Sequence, residues 1–343
     1  MTDLPVDKDR FIAWMDRQGL GDGDISNVQM LSGGTQNLMF LFERDGRRFV
    51  FRAPPLHPRA ESNKIMRREG VVLNALSGTN VPHPGFIAGC WETETLGRYF
   101  YLMEPIDGIS PANELPTPHN QNRDIRNRMS FSYMEGMAAL AGVDYEAVGL
   151  TDFGKPDSFL ERQAGRWLSQ IETYAKFENW TGYEDLGGYA KIAHWLNDNI
   201  PTDYRPGIIH GDCHIGNVMF APDSGELAAM IDWEMSTIGD PLVDVGWVMA
   251  TWPSDPEFRI FNIEPWDGFA EVSDMVKHYG EVSGRNMDDI DWFGVLACFK
   301  LGAILEGTHA RASAGKAPKE TGDMLHGITI NLFKKAHRLM AGG

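Results

Sequence analysis

Apolar positions over residues 7–20 recur at helical spacing, with Phe11, Trp14 and Met15 on one side, and predict an amphipathic helix. The pattern then shortens to strand length. Apolar runs at 28–31, 38–42 and 49–52 surround an Asp45-Gly46 pair, a hairpin signal because glycine accepts the positive φ of tight turns. Pro54, Pro55 and Pro58 stop the last run, since proline cannot donate to a ladder. Residues 60–77 return to a helical period, with Ile65, Glu69, Val72, Leu73 and Leu76 on one stripe, so a carboxylate is expected among buried apolar neighbours. Another strand pair follows and ends at 99–104. The Pro- and Asn-rich stretch 106–122 predicts a linker or flap. Beyond it the pattern is mainly helical, over 123–142, 157–177, 186–199, 240–252, 267–283, 288–312 and 322–340, broken at 207–232 by short strands and loops. Residues 311–321 are expected to form a flexible loop.

This order predicts an α+β chain with a small, mainly antiparallel-sheet lobe at 1–105 and a larger, mainly helical lobe at 106–343. A length of 343 residues suits two domains or one bilobal unit. Charge sharpens the division. Residues 1–105 carry 12 Lys and Arg against 13 Asp and Glu, whereas residues 106–343 carry 19 against 35. The net charge of −17 argues against nucleic acid or an anionic membrane as partner. Cys90, Cys213 and Cys298 are too few and scattered for a disulfide framework, and the N-terminus lacks the apolar run of a signal peptide, so a cytoplasmic setting is expected. The apolar stretch 292–305 is interrupted by Lys300 and too short to span a bilayer; it reads as a buried helix.

The densest reactive chemistry lies at 210–244. His210-Gly211-Asp212-Cys213-His214-Ile215-Gly216-Asn217 precedes a short apolar run, and a second run at 227–231 ends at Asp232-Trp233-Glu234. A hairpin return between these runs would bring Asn217 and Asp232 together. An amide oxygen and a carboxylate are hard donors that suit Mg²⁺ carrying nucleotide phosphates. Asp212, outside that pair, could accept a proton from an attacking hydroxyl. His-x-Asp-x-x-x-x-Asn followed by a metal-binding Asp is a kinase arrangement.

These residues resemble the aminoglycoside phosphotransferase/choline kinase family. The string from Asp232 to Asp244, with Leu31-Ser32-Gly33-Gly34-Thr35-Gln36-Asn37 and Phe49-Val50-Phe51-Arg52, resembles the subgroup related to the kinase-like domains of acyl-CoA dehydrogenase fusion proteins. The likeness runs from about residue 25 to 313. It implies a protein-kinase-like two-lobed fold with ATP, or alternatively GTP, in the cleft. Asp212 would be the catalytic aspartate, Asn217 and Asp232 the Mg²⁺ ligands, and His210 a brace for the loop. Ser32, Gly33, Gly34, Thr35 and Asn37 would cover the phosphates, and the backbone from Glu104 through Ile106 to Gly108 would meet the adenine edge. Arg52 stands where kinases place a phosphate-binding lysine, with Glu69 as its partner; it keeps the charge but changes the shape of the head.

The expected reaction is transfer of the γ-phosphoryl group of ATP to a small-molecule hydroxyl. A hydroxyacyl-CoA-like metabolite and an amino-alcohol or aminoglycoside-like compound are the two acceptor classes. The alternative is a nucleotide-binding pseudokinase or regulatory module, which Arg52 favours and an intact Asp212, Asn217 and Asp232 oppose. A zinc hydrolase built on His210, Cys213 and His214 ranks third, because no second Cys/His pair lies nearby in the sequence. Asp240 before Pro241 fits a helix N-cap, and Asp244 fits the first turn, where it could tie down the 210–217 loop. Arg162 and Arg166 are expected to pair with Glu161 or Asp157 rather than with an acceptor. The oligomeric state is not legible from the sequence.

Overall fold

A computed structural model describes residues 4–31, 37–55, 60–112, 114–253 and 260–342. Helix α1 (Lys8–Arg17) starts at Asp7, whose carboxylate accepts from the Arg10 N–H at 3.0 Å. Strands β1 (Ser26–Met30), β2 (Leu38–Arg44), β3 (Arg47–Ala53), β4 (Phe86–Cys90) and β5 (Phe100–Met103) form one antiparallel sheet in the order β1-β2-β3-β5-β4. The β2–β3 turn has Asp45 and Gly46 both at positive φ, +50° and +70°, as the sequence pair predicts.

Strand alternation gives the sheet two chemically different faces. Phe40, Phe42, Phe49, Phe51, Phe100 and Leu102 pack with Phe11 and Trp14 of α1. Phe51 stacks on Phe40 and Phe100 with centroids 4.6 and 5.1 Å apart, and Phe11 meets it edge-on at 5.4 Å. The opposite face presents Val50, Arg52, Tyr101 and Met103 towards the rest of the chain, so Arg52 is turned inward by the same alternation that buries Phe51.

Helix α2 (Ser62–Leu76) lies on that second face and buries Met66, Glu69, Val72, Leu73 and Leu76. Ile65 is 38% exposed, which corrects its place on the expected stripe. Met66 and Ile65 stand three and four residues before Glu69, and the helix turns the methionine inward.

The remaining helices are α3 (Arg123–Ala141), α4 (Glu161–Glu172), the short α5 (Gly182–Asp185), α6 (Tyr189–Asp198), α7 (Leu242–Thr251), α8 (Val272–Ser283), α9 (Ile290–Ser313) and α10 (Lys319–Met340). Two small antiparallel pairs sit among them: β6 (Gly207–Ile209) with β9 (Thr237–Gly239), and β7 (Val218–Phe220) with β8 (Leu227–Met230). No helix among the described residues is long and apolar enough to cross a membrane.

Two expectations change. The stretch 106–122 is packed down: Ile109 bridges Phe220, Leu115 and His119 are buried, and His119 Nε2 lies 3.0 and 2.9 Å from the carbonyl oxygens of Ala221 and Ser224. The expected loop at 311–321 shrinks, because α9 continues to Ser313 and α10 begins at Lys319. Its Ala, Lys and Glu content is compatible with helix, and packing between the two helices extends both.

The phenylalanine layer is the main apolar support on the outer face of the sheet. Phe51→Ala should lower stability by about 3–5 kcal/mol, the usual cost of emptying a buried aromatic site. Denaturant unfolding followed through both lobes would measure it.

Candidate active site

The two small strand pairs build the site. Strand β6 leads directly into His210, and Asn217 immediately precedes β7. Val218 pairs with Met230 across the hairpin, and the Ile231 N–H donates to the Asn217 carbonyl at 2.8 Å, which brings Asn217 and Asp232 side by side. Asp232 has φ +65°, a left-handed conformation uncommon for a non-glycine residue.

The turn at 210–212 is held from several sides. Asp244, in the first turn of α7 and almost fully buried, accepts from the His210 N–H at 2.7 Å and the Gly211 N–H at 2.8 Å. Lys300, from α9, donates to the Gly211 carbonyl at 3.0 Å. Gly211 has φ +88°, and a Cβ there would lie 2.4 Å from the Met235 carbonyl oxygen, so only glycine fits. His210 is fully buried against Trp233; its Nε2 lies 3.0 Å from the Ile231 carbonyl oxygen, and its Nδ1 faces the Asp212 N–H at 3.4 Å. Burial pushes the imidazole down to about 4, leaving it neutral, with Nε2 donating and Nδ1 accepting.

Asp212 extends from this turn. Trp247 Nε1 donates to one carboxylate oxygen at 3.1 Å, and Asn217 Nδ2 to the other at 3.0 Å. Asn217 Nδ2 also reaches the Asp212 carbonyl at 3.0 Å, which leaves its Oδ1 as a hard-oxygen donor. Burial raises the Asp212 carboxyl above its ordinary range, opposed by His214, Lys300 and the Trp247 hydrogen bond. Asp244 is pushed up to about 6 by burial, although both N–H bonds work against the shift.

Arg52 joins the two parts of the chain. Its Nε donates to Glu69 at 2.9 Å and its Nη2 to Asp232 at 2.8 Å. Burial, with Asp232 and Glu234 nearby, pushes Glu69 up to about 7 against the pull of Arg52. The guanidinium itself is held charged, the two carboxylates outweighing its desolvation.

Of the other expected site residues, Ser32, Gly33, Gly34 and Thr35 lie outside the described residues; Asn37 is half-buried just before β2. Glu104 is exposed and its N–H donates to the Gly85 carbonyl at 2.8 Å; Ile106 is half-buried two residues on. Cys213 is buried beneath Tyr133, whose hydroxyl donates to the Cys213 carbonyl at 2.7 Å. His214 Nδ1 accepts from the Gly216 N–H at 3.1 Å. With His210 also engaged through both nitrogens, the His210/Cys213/His214 zinc reading has no convergent ligand set. Helix α7 starts one residue later than expected, with Pro241 as its cap and Asp240 just before it; the Asp240 carboxylate accepts from the Leu242 N–H at 3.0 Å. Among the described residues Arg162 pairs with no carboxylate; it donates to the backbone carbonyls of Asp157 and Lys155, and Arg166 lies over the Trp167 ring.

Trp247 and Lys300 were not legible as site residues. Lys300 did leave a trace, because a single charge within the otherwise apolar stretch 292–305 needs a buried partner. Beside the site, a cleft of about 920 Å³ runs from Glu234–Thr237 to α4.

A two-lobed fold with a five-stranded sheet before a helical part, and a His-Gly-Asp turn facing an Asn/Asp pair, defines a kinase-like phosphotransferase architecture. The chain belongs to the phosphotransferase enzyme family, whose sequence model matches residues 27–271. It is 27% identical over 305 residues to acyl-CoA dehydrogenase family member 11 of Gallus gallus, covering 86% of this chain but only 38% of that protein. The chain thus spans little more than a third of that curated relative. A solved structure from Ralstonia eutropha JMP134, provisionally described as an aminoglycoside phosphotransferase, aligns over 97% of this chain and 99% of its own, with 26% identity and a TM-score of 0.78. A thermostable variant of aminoglycoside phosphotransferase APH(4)-Ia, solved with ADP and hygromycin B, shares the fold at 15% identity and a TM-score of 0.54, over 92% of this chain and 96% of its own.

Asp244→Asn keeps the shape but sets an amide against two N–H donors, and should cost about 1–3 kcal/mol of stability. The folded value of Asp244, about 6, lies above the ordinary value near 4. Its contribution to stability is therefore fullest below about 4 and is lost as pH rises through about 6. Denaturant unfolding across that window should show the gap between wild type and variant narrowing as pH rises. A widening gap would show that Asp244 is held below the ordinary range instead.

Proposed function

We propose that the protein is an ATP- and Mg²⁺-dependent phosphotransferase acting on a small-molecule hydroxyl. The observation that carries this reading is the Asp212 carboxylate, held by Trp247 and Asn217 next to the hairpin end that brings Asn217 and Asp232 together. Asp212 orients the acceptor hydroxyl and takes its proton. The hydroxyl oxygen bonds to the γ-phosphorus, the bond from that phosphorus to the β–γ bridging oxygen breaks, and ADP leaves. Arg52 places positive charge at the phosphates, and Asn37 covers them. Glu104 and Ile106 contribute backbone to the base. The functional boundary falls near residue 105.

The donor set fits Mg²⁺: one amide oxygen and one partly exposed carboxylate, both hard. Asn217 and Asp232 would hold the ion, which when bound neutralises phosphate charge. The other ligands it needs come from nucleotide and water.

For the acceptor, the cleft beside Glu234 and Met235 favours an anion. Arg68, Lys155, Arg162 and Arg166 line it along with Asp152, Glu161 and Glu234. Arg68 and Arg162 donate to backbone carbonyls, and among the described residues neither is paired with a carboxylate. A hydroxyacyl-CoA-like acceptor, with its phosphates, suits that lining, and the acyl-CoA dehydrogenase relative is consistent with it. The amino-alcohol reading rests on the provisional aminoglycoside phosphotransferase name of the Ralstonia structure. The pseudokinase reading rests on the Arg52–Asp232 contact, which occupies one oxygen of the proposed metal ligand.

Asp212→Ala should abolish phosphoryl transfer while leaving Mg²⁺–nucleotide affinity within a few-fold of wild type. Coupled ADP release with hydroxyacyl-CoA and amino-alcohol panels, alongside nucleotide titration, would measure both. Wild-type-like turnover in the variant would refute the assignment, and acceptor-independent nucleotide binding alone would favour the module.

A further inference from the structure

Away from the cleft, α9 and α10 pack antiparallel: Thr329 Oγ1 donates to the Gly302 carbonyl, and a Cβ on Gly322 would meet Ala312. On facing turns α9 presents Glu306 and His309, and α10 presents Asp323 and His326. Three-residue spacing puts each pair on one helix face. The possible ligating atoms of Glu306, His309 and His326 lie within 4.8 Å of one another.

The setting is a built one. Glu306 is fully buried. Trp180 Nε1 donates to one of its oxygens at 2.7 Å, and His326 Nδ1 lies 2.8 Å from the other. The rings of His309 and His326 stack with centroids 4.2 Å apart. His309 Nδ1 is buried without a hydrogen-bond partner, its nearest carboxylate oxygen, on Asp323, standing 3.9 Å away. Stacked imidazoles, a buried carboxylate and an unpartnered ring nitrogen converge on one point.

We propose that Glu306, His309 and His326 form a binding site for a divalent transition metal of the Zn²⁺ class, which clamps α10 onto α9. Two imidazoles and one carboxylate are a zinc-type donor set, unlike the oxygen set that Mg²⁺ prefers. The three candidate ligand atoms already lie within 4.8 Å of one another and would close in around the ion. The fourth position goes to Asp323, half-exposed at the rim, or to water. Trp180 supports the outer oxygen of Glu306, as outer-shell donors do in metal sites. Lys300, which holds the Gly211 carbonyl, stands six residues before Glu306, about 9 Å along the same helix. The clamp therefore stiffens the helix that supports the 210–217 loop.

The test uses the full chain. Chelator-treated protein is equilibrated with Zn²⁺ in Mg²⁺-containing buffer, desalted, and its bound metal counted. One retained equivalent and a raised Tm are expected, and Co²⁺ in place of Zn²⁺ should give the intense visible absorption of a four-coordinate site. His309→Ala and His326→Gln should each lose roughly ten-fold or more in affinity and the Tm rise. The Co²⁺ spectrum of the unmutated protein keeps the test open if a variant folds poorly. No retained metal in the wild type, or equal retention in a folded His309→Ala/His326→Gln double variant, would overturn the proposal.

Discussion

The candidate site depends on one buried carboxylate. Asp244 accepts from two successive backbone N–H groups, those of His210 and Gly211, and thereby fixes the turn that aims Asp212. Removing a carboxylate from water is costly, and two charge-assisted hydrogen bonds offset much of that cost. The other contacts follow from this geometry. Gly211 has no room for a side chain against Met235, Lys300 takes the Gly211 carbonyl, and both His210 nitrogens face backbone groups. A turn this fully bonded leaves Asp212 few orientations.

The electrostatics show why total charge is a poor guide to a local surface. The helical part holds most of the excess acid, yet its cleft beside Glu234 gathers Arg68, Lys155, Arg162 and Arg166. Salt screens exposed charges beyond roughly 8–10 Å, so a ligand in the cleft feels its lining far more than the distant surface. The acids that matter most are few and mostly engaged: Asp244 with the loop, Asp212 with Asn217 and Trp247, and Glu69 with Arg52.

Much of this architecture was written in local pattern. The Asp45-Gly46 turn, the alternation that turns Arg52 away from Phe51, and the hairpin joining Asn217 to Asp232 all follow from short-range rules. So does the carboxylate on the α2 stripe. What was hidden depends on partners far away in sequence. Trp247 reaches Asp212 across 35 residues and Lys300 reaches Gly211 across 89, and periodicity reports only that each sits on a helix. Ile65 was misplaced because two neighbouring positions satisfy a 3.6-residue period equally well. The expected 311–321 loop was too long because turn-forming residues mark a break without fixing its ends. Arg162 was assigned a carboxylate partner by proximity in sequence, whereas the fold offers it backbone carbonyls.

Arg52 has a mechanical consequence. It is rooted in the sheet, yet its Nε grips α2 at Glu69 and its Nη2 grips the hairpin end at Asp232. The group is flat and its donors diverge at fixed angles. The joint between sheet and hairpin is therefore a keyed one, resisting twist as well as separation. A lysine ammonium in its place would act as a ball joint, tethering both carboxylates while letting them swivel.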